Sequence, residues 1–428
     1  MTHKGPQNRV RSSIENFILH LHPMRIDKRA IKFTRTFGLG GISALLFVIL
    51  FISGIILRFS YIPTVEHAYE SIVELQNHSI FGQFIRNIHH LSGMLLVVVS
   101  FLHLIRVYYT QSIFQRRAKN WIYGLILLFL VLFSSFTGYL LPWDQLSFWA
   151  VTVITRVIEY FPFIGVHIAQ YIRSGDVING NTLLNFYNLH TGVIPLVFVV
   201  LMSIHFWLVR NAGGVALPKN EHKKRVNVLP NLVVKEMMVA SIVIAIIFIV
   251  SVFYNAPLLD EANPLKSPNP TKAPWYFLGA QELLLHVHPI FSAVIIPIGI
   301  GVFFIYLPYF NYKDLNIGVW FNSEKGKSLV IQSALLSVAF TFILIYLFEH
   351  FLHFEIWLST YPSWISTGVF PFLLYVLPVS AYLTLIYKKG KSSNTEVIMS
   401  LTTILVSSYI TMLMISLLLR GKGMLLVF

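Results

Sequence analysis

Nine stretches of about 20 predominantly apolar residues recur along this 428-residue chain, near 38–58, 84–107, 121–141, 186–208, 235–254, 289–310, 328–349, 367–387 and 396–418. Each is long enough to cross the hydrocarbon layer of a bilayer as a helix. With 56% of residues hydrophobic and only 12% charged, no soluble domain of this length is expected. The expected fold is therefore an all-α integral membrane protein with nine transmembrane helices, or eight if the last run is not counted.

Lys and Arg gather in alternate connections, and that asymmetry orients a membrane chain. Arg106, Arg116, Arg117 and Lys119 fall in one loop, Arg210, Lys219, Lys223, Lys224, Arg225 and Lys235 in a second, and Lys388, Lys389 and Lys391 in a third. These loops are expected on the cytoplasmic side. The alternating loops carry Glu66, Glu70 and Glu74, then Asp260 and Glu261, then Glu349 and Glu355, and are expected outside. Residues 1–35 hold eight Lys and Arg residues, with no apolar core before them, so they read as a cytoplasmic basic arm rather than a cleaved signal. Within the arm, Ser13 to His22 forms a short amphipathic stretch suited to the membrane surface. The net charge of +14 is mostly this topology signal plus attraction to anionic lipid, and a nucleic-acid partner is not expected. The Arg420 and Lys422 tail leaves the choice between eight and nine spans open. Zero cysteines exclude disulfides, thiolate-held iron–sulfur clusters and thioether-linked haem on this chain.

Four histidines lie inside the apolar runs: His89 and His103 in the second, His190 and His205 in the fourth. A strongly polar side chain at bilayer depth is costly and usually functional. The spacings are 14 and 15 residues, which correspond to about 21–23 Å along a helix and return to within about 40–60° of the starting direction. Each helix can thus present two imidazoles to one neighbour. Two facing helices would hold one haem near each membrane surface, each iron closed by two imidazoles and so suited to electron transfer rather than oxygen binding. Under the topology above both helices run from outside to inside, pairing His89 with His190 near the outer surface and His103 with His205 near the inner one. Any single one of them would equally serve as a hydrogen-bonding histidine between helices; matched spacing in all four favours metal ligation.

Gly40 and Gly54 in the first run, and Gly124 and Gly138 in the third, repeat the 14-residue stride. Glycine removes the side chain that would collide with a porphyrin edge, although small residues also serve ordinary helix packing. Arg86, one turn before His89, and Arg106, one turn after His103, sit where haem propionates would emerge.

The segments RNIHHLSGMLLVVVSFLHLIRVYY, TGYLLPWDQLSFWAV and FYNLHTGVIPLVFVVLMSIHFWLVR resemble the cytochrome b family of quinol-oxidising bc complexes. The 15-residue interval from His190 to His205, with YIPTVEHAYESI and GYLLPWDQ, looks closest to the chloroplast and cyanobacterial branch and its bacterial relatives. The likeness is strong over residues 30–215, moderate over 230–310 and weak beyond 320. In that branch the second half is often a separate chain, whereas here both halves are fused, with a break near 211–232 marked by Gly213, Gly214, Pro218 and a basic run. The expected organisation is the arm at 1–35, a four-helix di-haem domain at 36–215 and a C-terminal transmembrane domain at 230–428 that contributes to the quinol site.

The resemblance implies a haem-carrying, quinone-binding core subunit of a proton-translocating quinol:cytochrome c-type oxidoreductase, homodimeric, in a bacterial inner (plasma) membrane. Its implied cofactors are two b-type haems and quinone; the absence here of the family's quinol-site motif glutamate makes a low-potential menaquinone the expected species. Its implied partners are a Rieske iron–sulfur protein and a c-type cytochrome. Quinol would be oxidised at an outer pocket lined by Pro142, Trp143 and Asp144 and by Pro274, Trp275 and Tyr276, one electron going to the Rieske partner and the other from outer haem to inner haem. An inner quinone-reducing pocket would involve Arg210 and the Lys235-Glu236 pair. Two departures from the family stand out. The usual Pro-Glu-Trp-Tyr motif reads Ala273-Pro274-Trp275-Tyr276, so the glutamate expected to take a quinol proton is missing; Glu282, one to two turns on, is the first substitute, with His286, His288 and Asp144 nearby. Gly38 stands about where the branch often has a cysteine holding an extra haem. Two competing readings are a simpler di-haem anchor for a peripheral dehydrogenase, for which four spans would suffice, and a transporter whose histidines relay protons.

Overall fold

The computed structural model describes residues 24–218, 224–312 and 314–427. The amphipathic stretch Ser13 to His22, and Lys219, His222 and Lys223 of the basic loop, lie outside the described residues. Among the described residues nine helices are long and apolar enough to cross a membrane, the larger of the two expected counts.

Near the start, β1 (Arg25–Asp27) pairs antiparallel with β2 (Arg225–Asn227), Ile26 opposite Val226. The first half then runs α1 (Leu39–Arg58), α2 (Ala68–Asn77), α3 (Gly82–Tyr109), α4 (Ala118–Leu140), the shorter α5 (Gln145–Ile158), α6 (Gly165–Arg173) and α7 (Gly180–Asn188), and α8 (Ile194–Asn211). The second half holds α9 (Val233–Phe253), the short α10 (Leu278–His286), α11 (Ile296–Tyr306), α12 (Glu324–His350), α13 (Phe370–Lys388) and α14 (Asn394–Leu419).

Three spans open through a wide π-turn, at Leu189–Val193, Ile290–Ile295 and Ile365–Val369, each followed by a proline: Pro195, Pro297 and Pro371. Proline has no N–H and its ring crowds the carbonyl of the preceding turn, and a widened turn relieves that crowding. His190 sits within the first of these turns.

Lipid tails are as apolar as leucine, so hydrophobic contrast does little to join these helices, and close approach and polar contacts matter more. On α9, Met237, Ile242, Ile249 and Phe253 point outward, as a helix apolar on all sides can in lipid. By contrast α14 buries a polar seam. Ser408 hydroxyl lies 2.9 Å from Ser337, 2.9 Å from Thr341 and 2.8 Å from Tyr375, while Thr402 and Thr403 meet Tyr108 and Tyr109 at 2.8 and 2.7 Å. At about 0.6 kcal/mol per interhelical hydrogen bond, the seam knits α14 to α3, α12 and α13. Trp121 closes the joint between the halves, its indole donating to the Phe304 carbonyl at 2.7 Å.

Candidate redox and quinone site

The four glycines and four histidines interlock one to one. A Cβ on Gly54 would lie 3.2 Å from His89 Cε1, one on Gly40 3.2 Å from His103, one on Gly138 2.6 Å from His190 and one on Gly124 3.6 Å from His205. Glycines of α1 therefore face the histidines of α3, and those of α4 face the histidines of α8. The expectation is a porphyrin edge against these glycines; in the structure the imidazoles themselves stand against them. Helical stride accounts for this on α1 and α3, where both intervals are 14 residues; on α4 and α8 the intervals are 14 and 15, and the wide turn at Leu189–Val193 takes up the extra residue.

His89 and His190 approach edge to face, ring centroids 6.2 Å apart and planes at 74°. Two imidazoles sharing one metal ion through bonds of about 2.0 Å each would have ring centres roughly 6 Å apart, so the pair fits a single iron between them. The other ring nitrogens are already used. His190 Nδ1 lies 3.1 Å from the Ser134 carbonyl, which can only accept, so Nδ1 carries the proton and Nε2 keeps a lone pair. Ser53 donates its hydroxyl to the Ile49 carbonyl at 2.7 Å, leaving its oxygen to accept from His89 Nδ1 at 2.9 Å. Such contacts set the tautomer and orientation of a metal-binding imidazole. Ser53, Ser134 and Thr137, whose hydroxyl is 3.1 Å from His190 Nδ1, escaped sequence reasoning; the 36- and 53-residue separations of Ser53–His89 and Thr137–His190 hide them from any local pattern. His103 and His205, one helical stride further along, stand against Gly40 and Gly124 in the same way.

Arg86 is buried and donates to the Ala256 and Pro257 carbonyls at 2.7 and 2.6 Å. Arg106, also buried, donates through Nε to the Arg35 carbonyl at 2.9 Å. Arg210 and Glu236 are both exposed, at the end of α8 and the first turn of α9.

At the His89 end, Pro142-Trp143-Asp144 joins α4 to α5. Asp144 caps α5: its carboxylate accepts from Ser147 N at 2.9 Å, Ser147 hydroxyl at 2.7 Å and Leu259 N at 3.1 Å. Trp143 is buried, with its ring edge-on to Phe148 at 6.0 Å. Phe277, directly after the second aromatic segment, places its ring 5.9 Å from Phe136 near the end of α4, six residues before Pro142. Trp275, Tyr276 and Phe277 follow edge to face at 5.6 and 4.9 Å. The Tyr276 hydroxyl is buried and has no hydrogen-bond partner; burial pushes its pKa up, so it stays a protonated donor.

Glu282 is fully buried and belongs to a charge cluster. Arg420 Nη2 lies 2.5 Å from Glu282 Oε1, and Arg420 Nη1 2.8 Å from Glu349. His286 Nε2 is 3.2 Å from Glu282 and 3.0 Å from Arg420 Nη2. Burial alone would raise the Glu282 pKa, but the His286 and Arg420 bonds override it and hold the carboxyl below its usual range. From the sequence Arg420 reads only as an ambiguous topology charge; a cation at the end of the ninth span, opposite the basic loops, is the available signal.

A family model described as cytochrome b/b6/petB matches residues 27–213. The cytochrome b6 of Acaryochloris marina is 38% identical over 175 residues, which are 41% of this chain and 81% of that protein. That of Mastigocladus laminosus is 39% identical with the same coverage. Among solved structures, a chain titled hyperthermophilic respiratory Complex III superposes with a TM-score of 0.67 at 20% identity, covering 94% of this chain and 96% of that one, a likeness of fold that extends across both halves.

Proposed function

Because this chain belongs to the cytochrome b/b6 family of electron-transport membrane proteins, we propose that it is the quinone-binding core subunit of a proton-translocating quinol:cytochrome c-type oxidoreductase. It works beside a Rieske iron–sulfur protein and a c-type cytochrome, as a homodimer in a bacterial inner membrane, with the basic N-terminal arm in the cytoplasm. His89 with His190, and His103 with His205, hold two b-type haems, which supply one-electron transfer between the membrane faces.

The residues of the chain do the rest. Ser53 and Ser134 fix the tautomers of His89 and His190, and glycines at positions 40, 54, 124 and 138 let the imidazoles pack against the neighbouring helix. Pro142, Trp143, Pro274 and Trp275 form the wall of the outer quinol pocket, a surface suited to a flat apolar ring. The unpartnered Tyr276 hydroxyl offers a hydrogen bond to a quinol oxygen. With no glutamate in the motif, protons leave through Glu282 and His286, whose side chains touch at 3.2 Å. Arg210 and Glu236 mark the inner quinone site, and menaquinone is the expected substrate.

The observation that carries this reading is the His89–His190 pair at 6.2 Å with both Nδ1 atoms committed elsewhere. A purified complex tests it: b-type bands in a reduced-minus-oxidised spectrum, and quinol:cytochrome c reductase activity blocked by outer-site inhibitors, are expected. Absence of b bands, or activity in the absence of a Rieske partner, refutes it.

A further inference from the structure

The segment from Asn269 to Glu282 is hydrogen-bonded to α14 and the residues that follow it at four points. Gly423 N donates to Asn269 Oδ1 at 2.5 Å, and Lys272 Nζ to the Leu417 carbonyl at 3.2 Å. Tyr409 hydroxyl donates to the Tyr276 carbonyl at 2.7 Å. Arg420 then grips Glu282 on the far side. The first three contacts run antiparallel: as the segment advances from 269 to 276, its partners retreat from 423 to 409. Past Tyr276 the direction reverses, because α10 climbs back to Arg420. The segment is thus a V whose arms are pinned near residues 417–423 and whose tip rests on Tyr409, 11 residues before Arg420 and so about 16 Å along the helix.

The tip is also the tightest point. A Cβ on Gly279 would lie 2.9 Å from the Tyr409 ring and 3.0 Å from its carbonyl oxygen, so the absence of a side chain lets α10 sit on that ring. Between Tyr254 and Pro274 no helix braces the chain, so the approach to the tip is located by contacts rather than by regular structure.

We infer that the ninth span is the template that sets the depth of the Pro274-Trp275-Tyr276 segment, with Tyr409 as the positioning residue at its tip. The inference rests on the outer-pocket reading above for its link to quinol, and gives α14 a role in substrate binding. The Tyr409 bond fixes the backbone carbonyl of Tyr276, and through it the direction of the Tyr276 side chain, without itself touching substrate.

The test uses the purified, haem-loaded complex with Tyr409→Phe, which removes one hydroxyl and keeps the ring, and Gly279→Ala, which pushes on the same contact from the other side. Both should raise amide hydrogen exchange across residues 272–279 and raise KM for quinol by about three- to tenfold, the worth of one hydrogen bond, with a smaller change in kcat and unchanged b-haem content. Unchanged exchange in both variants overturns the template. Raised exchange with unchanged KM overturns the positioning of quinol. A wild-type complex that holds its haems but oxidises no quinol overturns the outer-pocket reading itself and the link to substrate with it, while the exchange measurement still decides the template.

Discussion

His190 and Gly138 are packed so closely that a single added methyl group on the glycine would stand 2.6 Å from the imidazole Cε1. The equivalent distance from Gly124 to His205 is 3.6 Å, an ordinary contact. Gly138→Ala should therefore displace the His190 ring, at a cost of about 1–3 kcal/mol, and lose the haem signal assigned to the His89–His190 pair. Gly124→Ala should keep both signals. Equal haem loss in the two variants, measured by redox-titrated difference spectra, would show that the glycines act through something other than imidazole clearance.

Depth pairing predicts a selective loss. His103→Leu should abolish the haem held with His205 and leave the other one in place, since the two pairs share no ligand. A variant that loses neither b component, or both with the protein still folded, contradicts the pairing of His103 with His205.

Ser53 makes the oriented contact to His89 Nδ1, and losing the hydrogen-bond partner of a metal-bound histidine typically changes metal affinity by about 10–100-fold. Ser53→Ala should weaken haem retention at that pair under dialysis or chaotrope, relative to wild type. Retention indistinguishable from wild type would leave Ser53 as a helix-packing residue only.

Glu282 has a dual expectation. As a proton outlet, Glu282→Gln should slow quinol oxidation. As a partner of Arg420 it is buried, and breaking such a pair destabilises by about 3–5 kcal/mol, so thermal unfolding should also drop. The pH dependence follows from the lowered carboxyl pKa: the contribution is full above the ordinary value of 4.5 and disappears as pH falls through the lower folded value. Wild-type complex should lose thermal stability on the acid side of 4.5 more steeply than Glu282→Gln. Parallel melting curves for the two proteins would exclude the ion pair as a source of acid sensitivity.

Much of the scaffold was legible because bilayer thickness imposes a length on every span: the apolar run 38–58 became Leu39–Arg58, and 84–107 became Gly82–Tyr109. The histidine and glycine strides were legible for a related reason, since a helix keeps its period over two registers. The short helices α5, α6 and α10 were not, because 9 to 14 residues at a membrane edge carry too few turns to separate a helix from an aromatic loop. Nor was the Arg420–Glu282 bond, whose partners lie 138 residues apart; no local pattern brings a tail residue to a helix of the other membrane-edge segment.

The ribbon of β1 and β2 pairs Arg25–Asp27 with Arg225–Asn227, and Lys28 N adds a bond to the Lys224 carbonyl at 2.8 Å. Residue 224 therefore stays fastened to the front of the first half whether or not residues 218 and 224 are covalently joined. A backbone nick between those positions would leave the ladder, the Trp121–Phe304 joint and the Arg86 contacts to Ala256 and Pro257 in place. Two co-expressed halves split at this seam are thus expected to assemble as one polypeptide does, because the contacts that join them need no covalent link.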